Sequence, residues 1–281
     1  MRAKVLYVSD LTYPARGRRY GDEDAYLTRE LREHFDLALC HPLDAVGLMD
    51  RFDAVIVRNS GAVLHFQAEY DEFRAEAVAR GTRVFNQLSG KADMVGKQYL
   101  VELSDAGYPV IPTTDSDPST LPESAGYLVK PKLGSDSIGL RKVSRDELST
   151  LALDGLLAQP LVDFQYEVSF YFVDREFQYA LYTPDPNHRW ELEPYQPTDA
   201  DLTFAQRFVD WNTIDHGIQR VDACRTTTPA LATAAENPAG ELLLVELEDL
   251  NPFLSLASTT DDHRTAFVNR VASSLGTLLT L

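Results

Sequence analysis

Residues Tyr127 to Val143 read YLVKPKLGSDSIGLRKV. Three β-prone residues, Tyr127-Leu128-Val129, lead into Lys130-Pro131-Lys132. A segment of small residues, Gly134-Ser135-Asp136-Ser137-Ile138-Gly139, then separates them from a second β-prone run ending at Val143. The pattern predicts a strand, a glycine-rich turn and a second strand. A glycine at each end of the turn leaves backbone amides open to an anion, with no Cβ in the way. Ser135 and Ser137 add hydroxyl donors, and Lys130 and Lys132 add compact charges suited to phosphate. The competing reading is a plain hairpin with a polar tip, since glycine turns are common. Lysine usage argues against it. Of 26 basic residues only six are lysines (Lys4, Lys91, Lys97, Lys130, Lys132 and Lys142), and five of these lie between positions 91 and 142. Elsewhere the chain uses arginine and is strongly acidic, with a formal charge of −17, so this basic stretch is a local exception.

A chain of 281 residues can hold one large domain or two smaller ones, and its 44% hydrophobic and 25% charged content is that of a globular protein. The acidity argues against nucleic acid or an anionic membrane as partner. The start, MRAKVLYVSD, has too short an apolar run for a signal peptide, and a cytoplasmic protein is expected. Cys40 and Cys224 are too few for a disulfide framework and lack metal-ligand spacing.

Upstream, strands are predicted at Lys4 to Val8, Leu37 to Cys40, Phe52 to Val57 and Arg83 to Phe85. Helices are predicted between them at Glu23 to His34 and at Phe66 to Arg80, the second stopped by Gly81. Alternating strands and helices indicate an open parallel sheet, with ligands outside its carboxyl ends. Arg16, Arg18, Arg19 and Arg58 follow such ends and can grip a carboxylate bidentately. With Asn59 and Ser60, three of these (Arg16, Arg19 and Arg58) form the candidate substrate-binding set. Further along, helices are expected at Lys91 to Ala106 and Arg145 to Ala158. Strands are expected at Gln159 to Val162, Glu167 to Val173 and Phe177 to Tyr182. Residues 183 to 200 read as an exposed connection and Ala205 to Thr213 as a short helix. The closing elements are a strand at Ile218 to Cys224, a Thr/Ala/Pro-rich loop from Thr226 to Gly240, a strand at Glu241 to Leu247, and an amphipathic helix over 261 to 280.

Strand side chains repeat every two residues, so Arg220 and Asp222 share one face, as do Glu246 and Glu248. With Asn251 they form an oxygen-rich set without His or Cys, which suits Mg²⁺ bound together with substrate phosphates. Paired carboxylates on one face are costly unless a cation neutralises them.

These residues together resemble the ATP-grasp superfamily, over roughly residues 83 to 275 and with the motifs in family order. Lys97 and Lys130 match its two nucleotide lysines, and LGSDSIG its phosphate-covering loop. QPLVDFQYEVS resembles its adenosine-holding hinge and the strand after it. IQRVDAC followed by VELEDLNPFLSL resembles the strands that carry metal and the catalytic arginine. VIVRNSG and VFNQLSGKADMVGKQYL are similar to the glutathione-synthetase-like subgroup, including the ring-closing ligases of cycloserine biosynthesis. The usual metal motif is Glu-x-Asn, whereas here Glu248 and Asn251 are three apart, which leaves the ligands open among Glu246, Glu248, Asp249 and Asn251.

The resemblance implies an α/β fold that is α+β in its ATP-grasp part. Its divisions would be a parallel N-terminal domain (1–85), a central ATP-binding subdomain (86–158) and a C-terminal subdomain (159–281). It implies ATP and two Mg²⁺ ions. Lys97, Lys130, Lys132, Gly134, Ser135 and Ser137 would be set around the phosphates, and Gln159, Leu161 and Glu167 around the adenosine. Asp222, Glu246, Glu248 and Asn251 would hold metal, with Arg220 and Lys130 catalytic. The implied reaction activates a small carboxylate as an acyl phosphate for attack by an amine. A ring-closing version of that reaction, or a nucleotide-binding protein without catalysis, are the alternatives. Partners would be small molecules, with homodimerisation left open.

Overall fold

The computed structural model describes residues 2–15, 18–58, 63–134, 137–185, 188, 191–227 and 240–280. Among these, four sheets form. In the first, Asp36–Cys40, Lys4–Val8, Ala54–Val57 and Val84–Phe85 lie side by side in that order, all parallel. The strands LYV and AVIV are buried on both faces, as a sheet covered on both sides requires. One face packs Leu6, Val8, Val55 and Val57 against Tyr70, Phe73 and Ala77 of the helix Gln67–Arg80. The other sets Val5, Tyr7 and Ile56 against Phe267, Val271 and Leu275 of the helix Asp261–Thr280. Gly81 ends the helix Gln67–Arg80 in the left-handed conformation, at φ 66°, as its sequence position predicts.

The largest sheet is antiparallel, in the order Glu193–Tyr195, Glu176–Thr183, Phe164–Val173, Ile218–Thr226, Leu242–Glu248. Its central strand alternates cleanly. Val168, Phe170 and Phe172 face the helices Tyr99–Asp105 and Asp199–Asn212, while Glu167, Ser169 and Tyr171 face the opposite way. A three-stranded antiparallel sheet, Arg141–Val143, Tyr127–Pro131 and Leu156–Pro160, carries the glycine-rich turn. Pro14–Ala15 and Arg18–Arg19 form a small two-stranded piece.

Three expectations are corrected. The helix predicted over 91–106 is confined to Tyr99–Asp105, preceded by a single turn at Asp93–Val95. Gly96 separates the two at φ 94°, a conformation closed to helix. The helix predicted over 145–158 stops at Thr150, and its second half is the strand Leu156–Pro160. There LLAQP pairs with Tyr127–Pro131 and buries Leu157 and Ala158, so tertiary pairing overrides helical propensity. Within 183–200, Glu193–Tyr195 is an edge strand, and Thr198 opens the next helix in a reciprocal capping box with Asp201.

Candidate active site

Cross-strand register builds the floor. Ser169, Asp222 and Glu246 stand in one row across three strands, and Tyr171, Arg220 and Glu248 in the next. All face one cleft, together with Thr183, Phe253 and Ser255. A second cleft lies between this sheet and the three-stranded sheet. Its polar lining includes Lys97, Lys130, Gln159 and Glu167, and Ile111, Leu128, Pro160 and Phe164 supply apolar wall. Ser137, Glu167, Val245 and Glu246 line both clefts, so the two are continuous.

Electrostatics concentrate at the junction. The Arg220 guanidinium reaches Asp222 at 2.7 Å and Glu248 at 2.6 Å and donates to the Phe253 carbonyl at 2.8 Å. Burial opposes its charge, but Asp222 and Glu248 outweigh that and hold its pKa well above the usual guanidinium range. Asp222 also accepts from the Ser169 hydroxyl at 2.6 Å. Burial, with Asp222 and Asp93 adding repulsion, pushes the Glu248 carboxyl up to about 7. Lys97, only 5% exposed, donates to Asp93 at 2.7 Å and pairs with Glu246. Lys130 makes no ion pair with the described residues; burial, then the nearby Lys97 charge, pushes its ammonium down to about 7. Cys224 lines the second cleft, and burial and then Glu167 raise its thiol to about 12, which disfavours the thiolate.

One oxygen each from Asp93, Glu246 and Glu248 lies within 4.8 Å of the others. The donor set is all oxygen, and a lysine ammonium already sits among it as a stand-in cation, so these residues fit a divalent metal of the magnesium type. Asp93 was missed by the sequence reading; its signal was a carboxylate four residues before Lys97.

No protein-family model matches the chain. The cycloserine biosynthesis protein DcsG of Streptomyces lavendulae is 25% identical over 241 residues, spanning 75% of this chain and 80% of that protein. The crystal structure of D-cycloserine synthetase DcsG is similar at a TM-score of 0.71 and 21% identity, covering 98% of this chain and 99% of that one. D-alanine–D-alanine ligase from Bacillus anthracis complexed with ATP follows at 0.64 and 11%, covering 99% and 97%. The ATP-grasp ligase PsnB, complexed with a phosphomimetic variant of its minimal precursor, Mg and ADP, gives 0.61 and 16%, covering 98% of each chain. The chain has the ATP-grasp fold.

Against this ATP-grasp frame the expected site residues divide. Lys97, Lys130, Gly134, Ser137, Gln159, Leu161 and Glu167 line the second cleft, and Arg220, Asp222, Glu246 and Glu248 the first. Ser137 takes φ 58° and Gly139 φ 77° in the turn. A Cβ on Gly139 would come within 2.8 Å of the Pro131 ring, so this position needs glycine. Ser135, Arg16, Asn59 and Ser60 lie outside the described residues, as does the side chain of Arg19.

Other expectations need correction. Arg58 is 2% exposed and points inward, donating to the Pro252 carbonyl at 2.8 Å and lying 3.6 Å from the buried Asp24; it ties the parallel sheet to the segment after Glu248 instead of facing a substrate. Lys132 turns away from the cleft to Asp115 at 2.7 Å, which Gln98 also contacts. Leu161 lines the cleft, yet its amide donates to Gly126 and its carbonyl accepts from Ser124, so its backbone has little left for a base. Val162, beside it, makes no such bonds with the described residues and lines the cleft. Asp249 is fully buried and accepts the Ala92 and Met94 amides at 3.0 and 2.7 Å and the Asn212 amide at 3.2 Å. It anchors the turn that carries Asp93 and stands on the other side of the strand from the cleft. Among the described residues, no helix is long and apolar enough to cross a membrane.

Proposed function

We propose that the protein is an ATP-dependent ligase that activates a small carboxylate as an acyl phosphate for attack by an amine, releasing ADP and phosphate. The observation that carries this reading is the continuity of the two clefts. A lysine-lined slot with apolar walls opens directly onto an arginine ringed by carboxylates, through Ser137, Glu167, Val245 and Glu246. Phosphoryl transfer asks a protein mainly for positioning and charge neutralisation, and this junction offers both.

Adenosine would lie between Leu128, Ile111 and Phe164, with its base against the free backbone of Val162 and the buried Gln159, which donates to Thr113 at 2.8 Å. Glu167 would accept from ribose hydroxyls. Lys97 and Lys130 would take the phosphates, and Ser137 with the turn backbone would cover them. Magnesium, when bound with the nucleotide, neutralises phosphate charge; Glu246 and Glu248 would hold it, with Asp93 and Asp222 beside them. Arg220 would stabilise charge on the acyl phosphate and on the oxyanion that follows amine attack. Its two carboxylate partners fix the orientation of the guanidinium. The division into residues 1–85, 86–158 and 159–281 belongs to the same proposal: the parallel sheet lies in the first part and the large antiparallel sheet in the third, while the boundary at 158 falls inside the strand Leu156–Pro160 of the three-stranded sheet.

A ring-closing reaction, with acid and amine in one amino acid derivative, is the second reading. It draws on the likeness to DcsG over 80% of that protein's length. A screen of amino acids, dipeptides and aminooxy or amino-alkyl acids for phosphate release from ATP tests both. Release dependent on an acid together with a separate amine supports the intermolecular form, and release with a single bifunctional compound the ring-closing form. Nucleotide binding with no acid-dependent release from any compound class would refute the ligase assignment.

A further inference from the structure

Lys97 has two possible employments. It lines the nucleotide-side cleft beside Lys130, yet its ammonium is bonded to Asp93 at 2.7 Å and paired with Glu246. Those two carboxylates and Glu248 are the clustered oxygens within 4.8 Å of one another. A buried ammonium among three carboxylates takes the electrostatic place of a divalent cation, and it cannot leave uncompensated, because stranding a buried charge is strongly unfavourable.

The acidic partner is held firmly. Asp93 accepts the Tyr99 hydroxyl at 3.0 Å, and the same Tyr99 oxygen accepts from the amide of Leu247 at 2.7 Å, the residue between the two glutamates. From below, Asp249 fixes the Asp93–Val95 turn through the Ala92 and Met94 amides. The position of Asp93 is therefore locked to the strand that carries Glu246 and Glu248.

We propose that Lys97 holds the metal's place in the nucleotide-free protein and that Asp93 is the positioning residue that keeps it there. Metal and Lys97 then compete for the Asp93, Glu246 and Glu248 carboxylates until nucleotide phosphates draw the lysine across the cleft. The inference rests on the ATP-ligase reading of the cleft. Its consequence is reciprocal coupling: nucleotide frees the carboxylates for metal, and metal frees the lysine for phosphate.

The test measures Mn²⁺ binding to the full, nucleotide-free chain by electron paramagnetic resonance, for the parent, Lys97→Met and Asp93→Asn. Lys97→Met should bind Mn²⁺ more tightly, by a factor in the usual coupling range of roughly 5 to 150. Asp93→Asn should bind it more weakly, since a carboxylate is lost and Lys97 falls wholly to Glu246. Damage to the fold would weaken both variants, so opposite signs identify the competition. A Lys97→Met protein that binds Mn²⁺ no more tightly than the parent overturns the inference. A separate ADP titration addresses the ligase reading: a parent chain that binds no ADP with Mg²⁺ would sink that reading, while the Mn²⁺ comparison, which needs no nucleotide, decides the lysine's role by itself.

Discussion

Nucleotide binding should take up a proton through Lys130. In the free protein burial and the Lys97 charge place its ammonium at about 7, so at pH 8 roughly nine-tenths of the chains carry a neutral Lys130. Phosphates beside a lysine favour the charged form and restore its pKa toward the ordinary value. Binding of a non-hydrolysable ATP analogue should therefore draw in about 0.9 proton per site at pH 8, about 0.5 at pH 7 and about 0.1 at pH 6. At pH 8 the nucleotide's own phosphates are already ionised and contribute little. Titration calorimetry with Mg²⁺ present, in buffers of different ionisation enthalpy, reads the number directly, and Lys130→Met supplies the baseline. Affinity for the analogue should also fall as pH rises from 7 to 9, by up to about tenfold per pH unit above the free pKa. Uptake at pH 8 below about 0.2 proton, or equal in Lys130→Met, would refute both the depressed pKa and the contact with phosphate.

Arg220→Lys should keep nearly normal ATP affinity but lose on the order of 10²–10³ in turnover, the range for a lost oxyanion donor, because one ammonium cannot reproduce contacts to Asp222, Glu248 and the Phe253 carbonyl. Steady-state kinetics beside a binding titration check this, and unimpaired turnover would remove Arg220 from the chemistry. Glu23, buried and accepting the Leu254 and Leu256 amides at 2.9 Å each, has its carboxyl raised to about 7, chiefly by burial. Its folded-state pKa exceeds the unfolded one, so its contribution is fully present below about pH 4.5 and is lost as pH rises toward 7, on the order of 3 kcal/mol in all. Urea midpoints measured stepwise over that range should fall less steeply for Glu23→Gln than for the parent; parallel slopes would contradict the shift.

The parallel sheet was readable because a strand buried on both faces must be apolar throughout, and VLYV and AVIV are. The large sheet was readable for the opposite reason: EVSFYFV alternates, and alternation survives any rearrangement of neighbours. What could not be read was where local propensity yields to a partner far along the chain. Nothing in Leu156 to Pro160 announces pairing with Tyr127 to Pro131, and the preceding capping box at Ser144 and Glu147 speaks for helix. The same limit applies to Arg58. Its place after a parallel strand suggested a ligand-facing arginine, but the Pro252 carbonyl that claims it lies 194 residues away.

The acidic run Glu246-Leu247-Glu248-Asp249 shows how far periodicity alone could have carried the site. Strand side chains alternate, so Glu246 and Glu248 must share one face, and Leu247 and Asp249 the other while the strand stays regular. The cleft receives the first pair. Asp249 goes under the sheet, where burial raises its carboxyl to about 6 even though it accepts two amides and a side-chain amide. Removing it by Asp249→Ala strands three buried donors, each costing about 1–3 kcal/mol, so a loss of roughly 3–6 kcal/mol after partial relaxation is expected. The turn it anchors carries Asp93 and leads to Lys97, so any protein that still folds should bind ADP more weakly, although Asp249 touches neither cleft. Denaturant titration beside an ADP titration measures the two effects. An Asp249→Ala protein destabilised by several kcal/mol but with unaltered ADP affinity would mean that Lys97 finds its place without the turn, and that the strand bearing Glu246 positions it unaided.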